Sequence, residues 1–166
     1  MRPKGRLRWV RRAKSRAMSK NWGYAHRVDI NAGADRVWRA LTVSSELGRW
    51  CWPGASIQPR AGGLFRAMVD RVGELEAHID VFEAPRRLRL IYLQTAALPP
   101  TDSALVDDFI LDADQDVTIV RLLGSGVPST KVWEQPFMRI KTSWERALPR
   151  LKVFVEQQTV REGPHS

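Results

Sequence analysis

The stretch WEQPFMRIKTSWERALPRLKVFV, residues 133–155, decides the fold. Trp133, Phe137, Ile140, Trp144, Leu148, Leu151 and Val155 recur at alternating spacings of four and three, which lays one apolar stripe along a long helix. Pro136 suits the first turn, where a missing amide costs nothing. Pro149 falls inside the helix and removes the amide that would bond the Glu145 carbonyl, so a kink is expected there. A stripe of this length needs an apolar surface of similar length to cover.

The residues upstream supply that surface. YAHRVDIN, residues 24–31, alternates, with His26, Val28 and Ile30 on one parity, as in a half-buried strand. AGADRVWRALT, residues 32–42, carries Ala34, Val37, Trp38 and Leu41 at helical spacing, with Asp35 near the positive end of the dipole. SSELGRW, residues 44–50, restarts as a second short helix with Ser44 or Ser45 as N-cap. Strand candidates follow at 55–59, 64–70, 74–83, 88–95, 105–112 and 117–123, broken by EAPRR and ALPPTDS and turned at the acidic tip DADQD. Gly62-Gly63 reads as a bulge or tight turn that lets the sheet curl.

Strands that arrive consecutively with short links build an antiparallel meander, not βαβ units. The expected class is therefore α+β: a curved antiparallel sheet wrapped around a long C-terminal helix, with two short helices after the first strand closing one end. A bent sheet and a straight cylinder mismatch in shape. Either a hollow on the order of 300–1,000 Å³ survives between them, or large side chains fill it, and the seven tryptophans are suited to that.

A chain of 166 residues is most simply one domain. The formal charge of +9 is a property of one end. Residues 1–27 hold ten of the 27 Lys and Arg and no acid, leaving 17 against 18 acidic residues in the remainder. Residues 1–23 are read as a basic leader, 24–158 as the folded domain and 159–166 as a frayed tail. The leader has three readings: a misassigned start with translation beginning at Met18, a solvated tail, or a targeting or nucleic-acid arm. Beyond non-specific contact by that leader, no nucleic-acid partner is expected. No run approaches about 20 apolar residues, so no membrane span is expected. The lone Cys51 cannot form an internal disulfide, which fits a reducing, cytoplasmic setting and a buried, inert thiol.

Several segments together carry a resemblance: INAGADRVWRALTVSSELGRWCWPG (30–54), RAGGLF (60–65), VGELEAHIDVFEAPRRLRLIY (72–92), VTIVRLLGSGVP (117–128) and SWERALPRLKVFVE (143–156). In order and spacing, over about residues 26–157, the chain resembles the activator-of-Hsp90-ATPase-homologue family of the START-like, or SRPBCC, superfamily. The resemblance implies a helix-grip fold with a cavity beneath the C-terminal helix. Members bind lipids, polyketides, hormones or other apolar ligands, and some catalyse cyclisation or dehydration. Three positions depart from the family pattern: Gly124 stands where a histidine often precedes Ser-Gly, Ser143 replaces the glycine before the C-terminal tryptophan, and Pro149 interrupts the last helix.

On this reading the ligand is a small apolar molecule. The expected lining comprises Trp38 from the first short helix, Trp50 and Trp52 at its mouth, and Phe65, Tyr92 and Phe109 from the strands. Trp133, Phe137, Met138 and Trp144 from the long helix form its floor, although an aromatic stripe at helical spacing is for the most part core. In the family the Trp50–Trp52 segment borders the cavity entrance, one indole being a plug and the other a ligand contact, with the assignment open.

The polar groups that could reach a cavity are Arg66, Glu76, His78 and Asp108. Glu76 and His78 share a parity with Glu74 and Asp80, which reads as a solvated face, or else as an inward acid–base pair. Asp107 and Asp108 are adjacent and must point to opposite faces. Asp108 is the candidate for a buried carboxylate, paired with Arg66 or Arg121 unless its pKa is raised. No nucleophilic triad, phosphate loop, dinucleotide fingerprint or metal-ligand spacing occurs, and no cofactor is expected. The functional expectation is a ligand-binding protein, monomeric or homodimeric. A cyclase- or hydrolase-type enzyme is the alternative, and a chaperone-associated ATPase-activator homologue ranks behind it.

Overall fold

A computed structural model describes residues 21–161; most of the basic leader and the last five residues of the expected tail lie outside that range. The chain runs β1 (Asn21–Ile30), α1 (Ala34–Thr42), α2 (Ser44–Trp50), β2 (Ser56–Ile57), β3 (Leu64–Val69), β4 (Gly73–Glu83), β5 (Arg87–Tyr92), β6 (Val106–Asp114) and β7 (Val117–Pro128). A short 3₁₀ turn, Lys131–Trp133, then leads into α3 (Glu134–Arg161). The seven strands form one antiparallel sheet in the order β1-β7-β6-β5-β4-β3-β2. The first strand closes against the last, and the strands from β2 to β7 follow one another as the meander expected.

The curl has local causes. β1 shifts register between Trp22 and Tyr24, and β4 shifts between Ile79 and Val81; an irregularity of this kind bends a strand and increases its twist. Gly62, at φ 77°, and Gly63 turn the chain into β3 while exchanging hydrogen bonds with Ile79. On the concave side α3 lies along the sheet. Its stripe of Trp133, Ile140, Trp144, Leu148, Leu151 and Val155 is buried, each fully covered side chain contributing about 1.5–3 kcal/mol. Lys152 and Glu156 pin the far half of the helix to the end of β1: Lys152 Nζ donates to the Asp29 carbonyl and the Asn31 amide donates to Glu156.

Several boundaries and caps depart from expectation: β2 is shorter, Ser56–Ile57, and β7 runs on to Pro128. β1 begins at Asn21, because Trp22 already packs on Phe137 at 5.2 Å between ring centroids, so residues 21–23 belong to the domain and not to the leader. α2 is capped by Val43; Ser44 instead accepts from the Ile57 amide and donates to its carbonyl, stitching the helix start to β2. α3 is continuous across Pro149, the position at which a kink was expected, and spans 28 residues. It also continues to Arg161, with Thr159 Oγ1 donating to the Val155 carbonyl, where fraying was expected from residue 159.

Candidate functional site

The space between sheet and helix is mostly filled. Trp144 stands edge-on to Phe109 at 5.3 Å and to Trp52 at 4.8 Å, plugging the centre. What remains is a pocket of about 20 Å³ between Tyr24, Tyr92 and Ile140, room for about one water. The broad hollow anticipated beneath the helix is taken up by aromatic rings.

At the heart of this packing lies a carboxylate. Asp107 is fully buried on β6 and accepts three hydrogen bonds: from the Tyr24 hydroxyl at 2.5 Å, the Tyr92 hydroxyl at 2.6 Å and the Trp144 indole N–H at 2.9 Å. Burial drives its pKa up to about 6, and the three donors hold it from rising further. Burial, and then the Asp107 charge, raise both tyrosine hydroxyls well above the ordinary value. Tyr24 reaches Asp107 by crossing β7 at Gly124, the residue paired with both. A methyl group at Gly124 would overlap the Tyr24 ring, which explains the glycine at this position.

The four polar groups expected to face a cavity do not. Asp108 points to the convex face, where Arg87 grips it through two hydrogen bonds of 2.9 and 3.1 Å, and neither Arg66 nor Arg121 is its partner. Arg66 pairs instead with Glu76 at 3.1 Å. Leu75, Ala77 and Ile79 take the inner face of β4, so Glu76 and His78 project outward. The inward carboxylate is Asp107. It shares its parity with Phe109 and Leu111, and this was the available signal.

Open volume lies outside the sheet–helix interior, along α3. A cleft of about 580 Å³ runs between the Trp50–Pro53 segment, the β3–β4 turn at Asp70 and Arg71, and the outer face of α3 from Met138 to Arg150. Trp50 is the plug: its N–H donates to the Ala40 carbonyl at 2.8 Å and seals α2 against α1. Trp52 lies over Trp144, and its N–H has no protein partner yet is not sealed from solvent. Cys51 between them is buried, and its thiol pKa is pushed far up by that burial. Arg150 fixes the segment by donating to the Trp50 carbonyl at 2.9 Å and the Cys51 carbonyl at 2.8 Å.

Of the expected lining, Trp50, Trp52 and Met138 meet at this cleft and Tyr92 borders the inner pocket. Phe65, Phe109, Trp133 and Trp144 are core. Trp38 packs against Phe82 at 5.2 Å, and Phe137 against Trp22 and Tyr24. The arginines around the cleft were not foreseen.

The family model for Activator of Hsp90 ATPase homolog 1-like proteins matches residues 31–156. The chain belongs to that family. Among solved structures, this family member is similar to a Mesorhizobium loti protein at 20% identity and a TM-score of 0.70, over 82% of this chain and 98% of that one. It is similar to the Aha1 dimer of Colwellia psychrerythraea at 19% identity and a TM-score of 0.68, over 81% and 96%. DynU16, from the dynemicin biosynthetic locus, aligns at 17% identity and a TM-score of 0.65, over 82% of this chain and 48% of that one. These likenesses establish the START-like helix-grip fold. No curated protein matches by sequence. Among the described residues no helix is long and apolar enough to cross a membrane.

Proposed function

We propose that this family member is a small-molecule-binding protein that takes up an apolar or aromatic ligand at the cleft beside Trp50–Pro53. The observation that carries the proposal is the contrast between an inner pocket of about 20 Å³ and a solvent-open cleft of about 580 Å³ beside Trp52. A volume of that size suits a metabolite of ordinary dimensions. Trp52, buried except where it lines the cleft, offers apolar contact together with Pro53 and Met138, and its N–H, without a protein partner, offers one directional donor. A neighbour from a biosynthetic locus is in keeping with a lipid, polyketide or aromatic metabolite. The proposal places the protein in the cytoplasm, where a lone buried cysteine needs no oxidised partner.

Native mass spectrometry of protein purified from its own host tests this reading. Retention of one small molecule per chain, lost on Trp52→Ala, is the expected result; a chain that never carries ligand and binds none from a lipid and aromatic-metabolite extract would overturn it. The same spectra distinguish monomer from homodimer.

One observation favours an enzyme as second reading. Tyr24 and Tyr92 line the inner pocket, and their hydroxyls bond Asp107, whose pKa is raised to about 6, a grouping able to pass a proton to a small polar group admitted there. On that reading Asp107→Asn abolishes turnover while the variant stays folded. Asp108 and the Glu76–His78 pair, which face outward, have no part in it.

A further inference from the structure

The cleft gathers most of the unpaired arginines of the described residues; Arg60, Arg86 and Arg161 are the unpaired ones outside it. Among the described residues, Arg27, Arg36, Arg39, Arg66, Arg87, Arg89 and Arg121 each pair with a carboxylate. The five that line the cleft, Arg49, Arg71, Arg139, Arg146 and Arg150, pair with none, and the one carboxylate in the lining is Asp70.

Three separate elements bring these guanidiniums together. Arg49 comes from the last turn of α2, Arg71 from the β3–β4 turn, and the other three from one face of α3. Arg146 and Arg150 are four apart on that helix, a like-charge spacing that destabilises an isolated helix, and Arg146 has no protein hydrogen bond to offset it. Two of the five are anchored through backbone carbonyls, Arg150 on Trp50 and Cys51 and Arg139 on Arg71 at 3.3 Å, which leaves part of each five-donor fork free. The Arg71 and Arg146 side chains donate to no protein group, and Arg49 lies over the Phe154 ring at 5.3 Å. Unpaired guanidiniums in a concave site focus positive potential and match the bidentate geometry of an oxyanion.

We infer that the cleft selects an amphipathic anion: a carboxylate, phosphate or sulfonate group held by Arg146 and Arg71, on an apolar body laid against Trp52, Pro53 and Met138. This rests on the reading of the cleft as a small-molecule site and adds the charge of its ligand. The five arginines all belong to the folded domain.

Two fluorescent probes that differ by a single group test it on the full chain: 1-anilinonaphthalene-8-sulfonate and its neutral parent N-phenyl-1-naphthylamine. The sulfonate is expected to bind at least about tenfold more tightly at low salt. That advantage should collapse between about 0.01 M and about 1 M salt, as the Debye length contracts from roughly 30 Å to roughly 3 Å. The double substitution Arg71→Gln, Arg146→Gln removes no protein–protein hydrogen bond. It is expected to weaken the sulfonate about tenfold or more and to leave the neutral dye unchanged. Equal affinity for both dyes, insensitive to salt and to the substitutions, overturns the inference while leaving the small-molecule site standing. If neither dye binds saturably, the site itself fails and the inference with it.

Discussion

Asp107 and Asp108 are neighbours on β6, yet one is sealed among two tyrosines and a tryptophan while the other is clasped by Arg87 on the outer face. The burial of Asp107 has a consequence for stability. In the unfolded chain its carboxyl titrates near 3.9; in the fold, desolvation moves it to about 6. The native state therefore holds the proton to higher pH, and the stability this group contributes is full below about pH 4 and lost as pH rises through about 6, a loss of about 3 kcal/mol. Urea titrations across that window should give a downward slope in the native chain that is flattened in Asp107→Asn; parallel slopes would contradict the assignment. Gly124→Ala should cost about 1–3 kcal/mol by forcing the Tyr24 ring off the sheet. In a double-mutant cycle, shortening Tyr24 to Leu should recover part of that loss. The sequence allowed this carboxylate to be found only in part. Phe109 and Ile110 are both apolar, so alternation alone did not say which parity of β6 faces the helix.

α3 was the most legible element, since a continuous stripe at helical spacing has few other readings; of its buried residues only Ala147 lay outside the periodicity, and Phe137, within it, is half-buried. Its other face was not legible, because arginines on an exposed helix face resemble an ordinary solvated surface until the turn at Arg71 and the end of α2 are brought against them. The helix also carries the segment that shapes the cleft. Arg150 caps the end of α2 by bonding the Trp50 and Cys51 carbonyls. Charged hydrogen bonds of this kind contribute about 1.5–3 kcal/mol when buried, and solvent at Arg150 lowers that figure. Arg150→Ala should therefore destabilise the chain by about 1–2 kcal/mol in urea unfolding and raise amide hydrogen exchange at Cys51 and Trp52. Unchanged exchange there would mean that the arginine does not hold the segment.

For the whole molecule, the order of elements was sufficient to specify a curved sheet gripping a helix, and the family assignment agrees with it. The fate of the interior was not specified, because whether a bent sheet and a cylinder leave a hollow depends on side-chain conformations that sequence periodicity does not encode. Trp144, Phe109 and Trp52 close that space, and the accessible volume moves outward to the cleft. The seven tryptophans make this distribution measurable. Trp144 donates its indole N–H to Asp107, Trp50 donates its own to Ala40, and Trp52, which lines the cleft, has an N–H without a protein partner. In a proton–nitrogen correlation titration with 1-anilinonaphthalene-8-sulfonate, the Trp52 indole signal should move in a saturable way while the Trp144 signal stays in place. A shift of Trp144 with Trp52 unmoved would put the ligand inside the barrel and contradict the account.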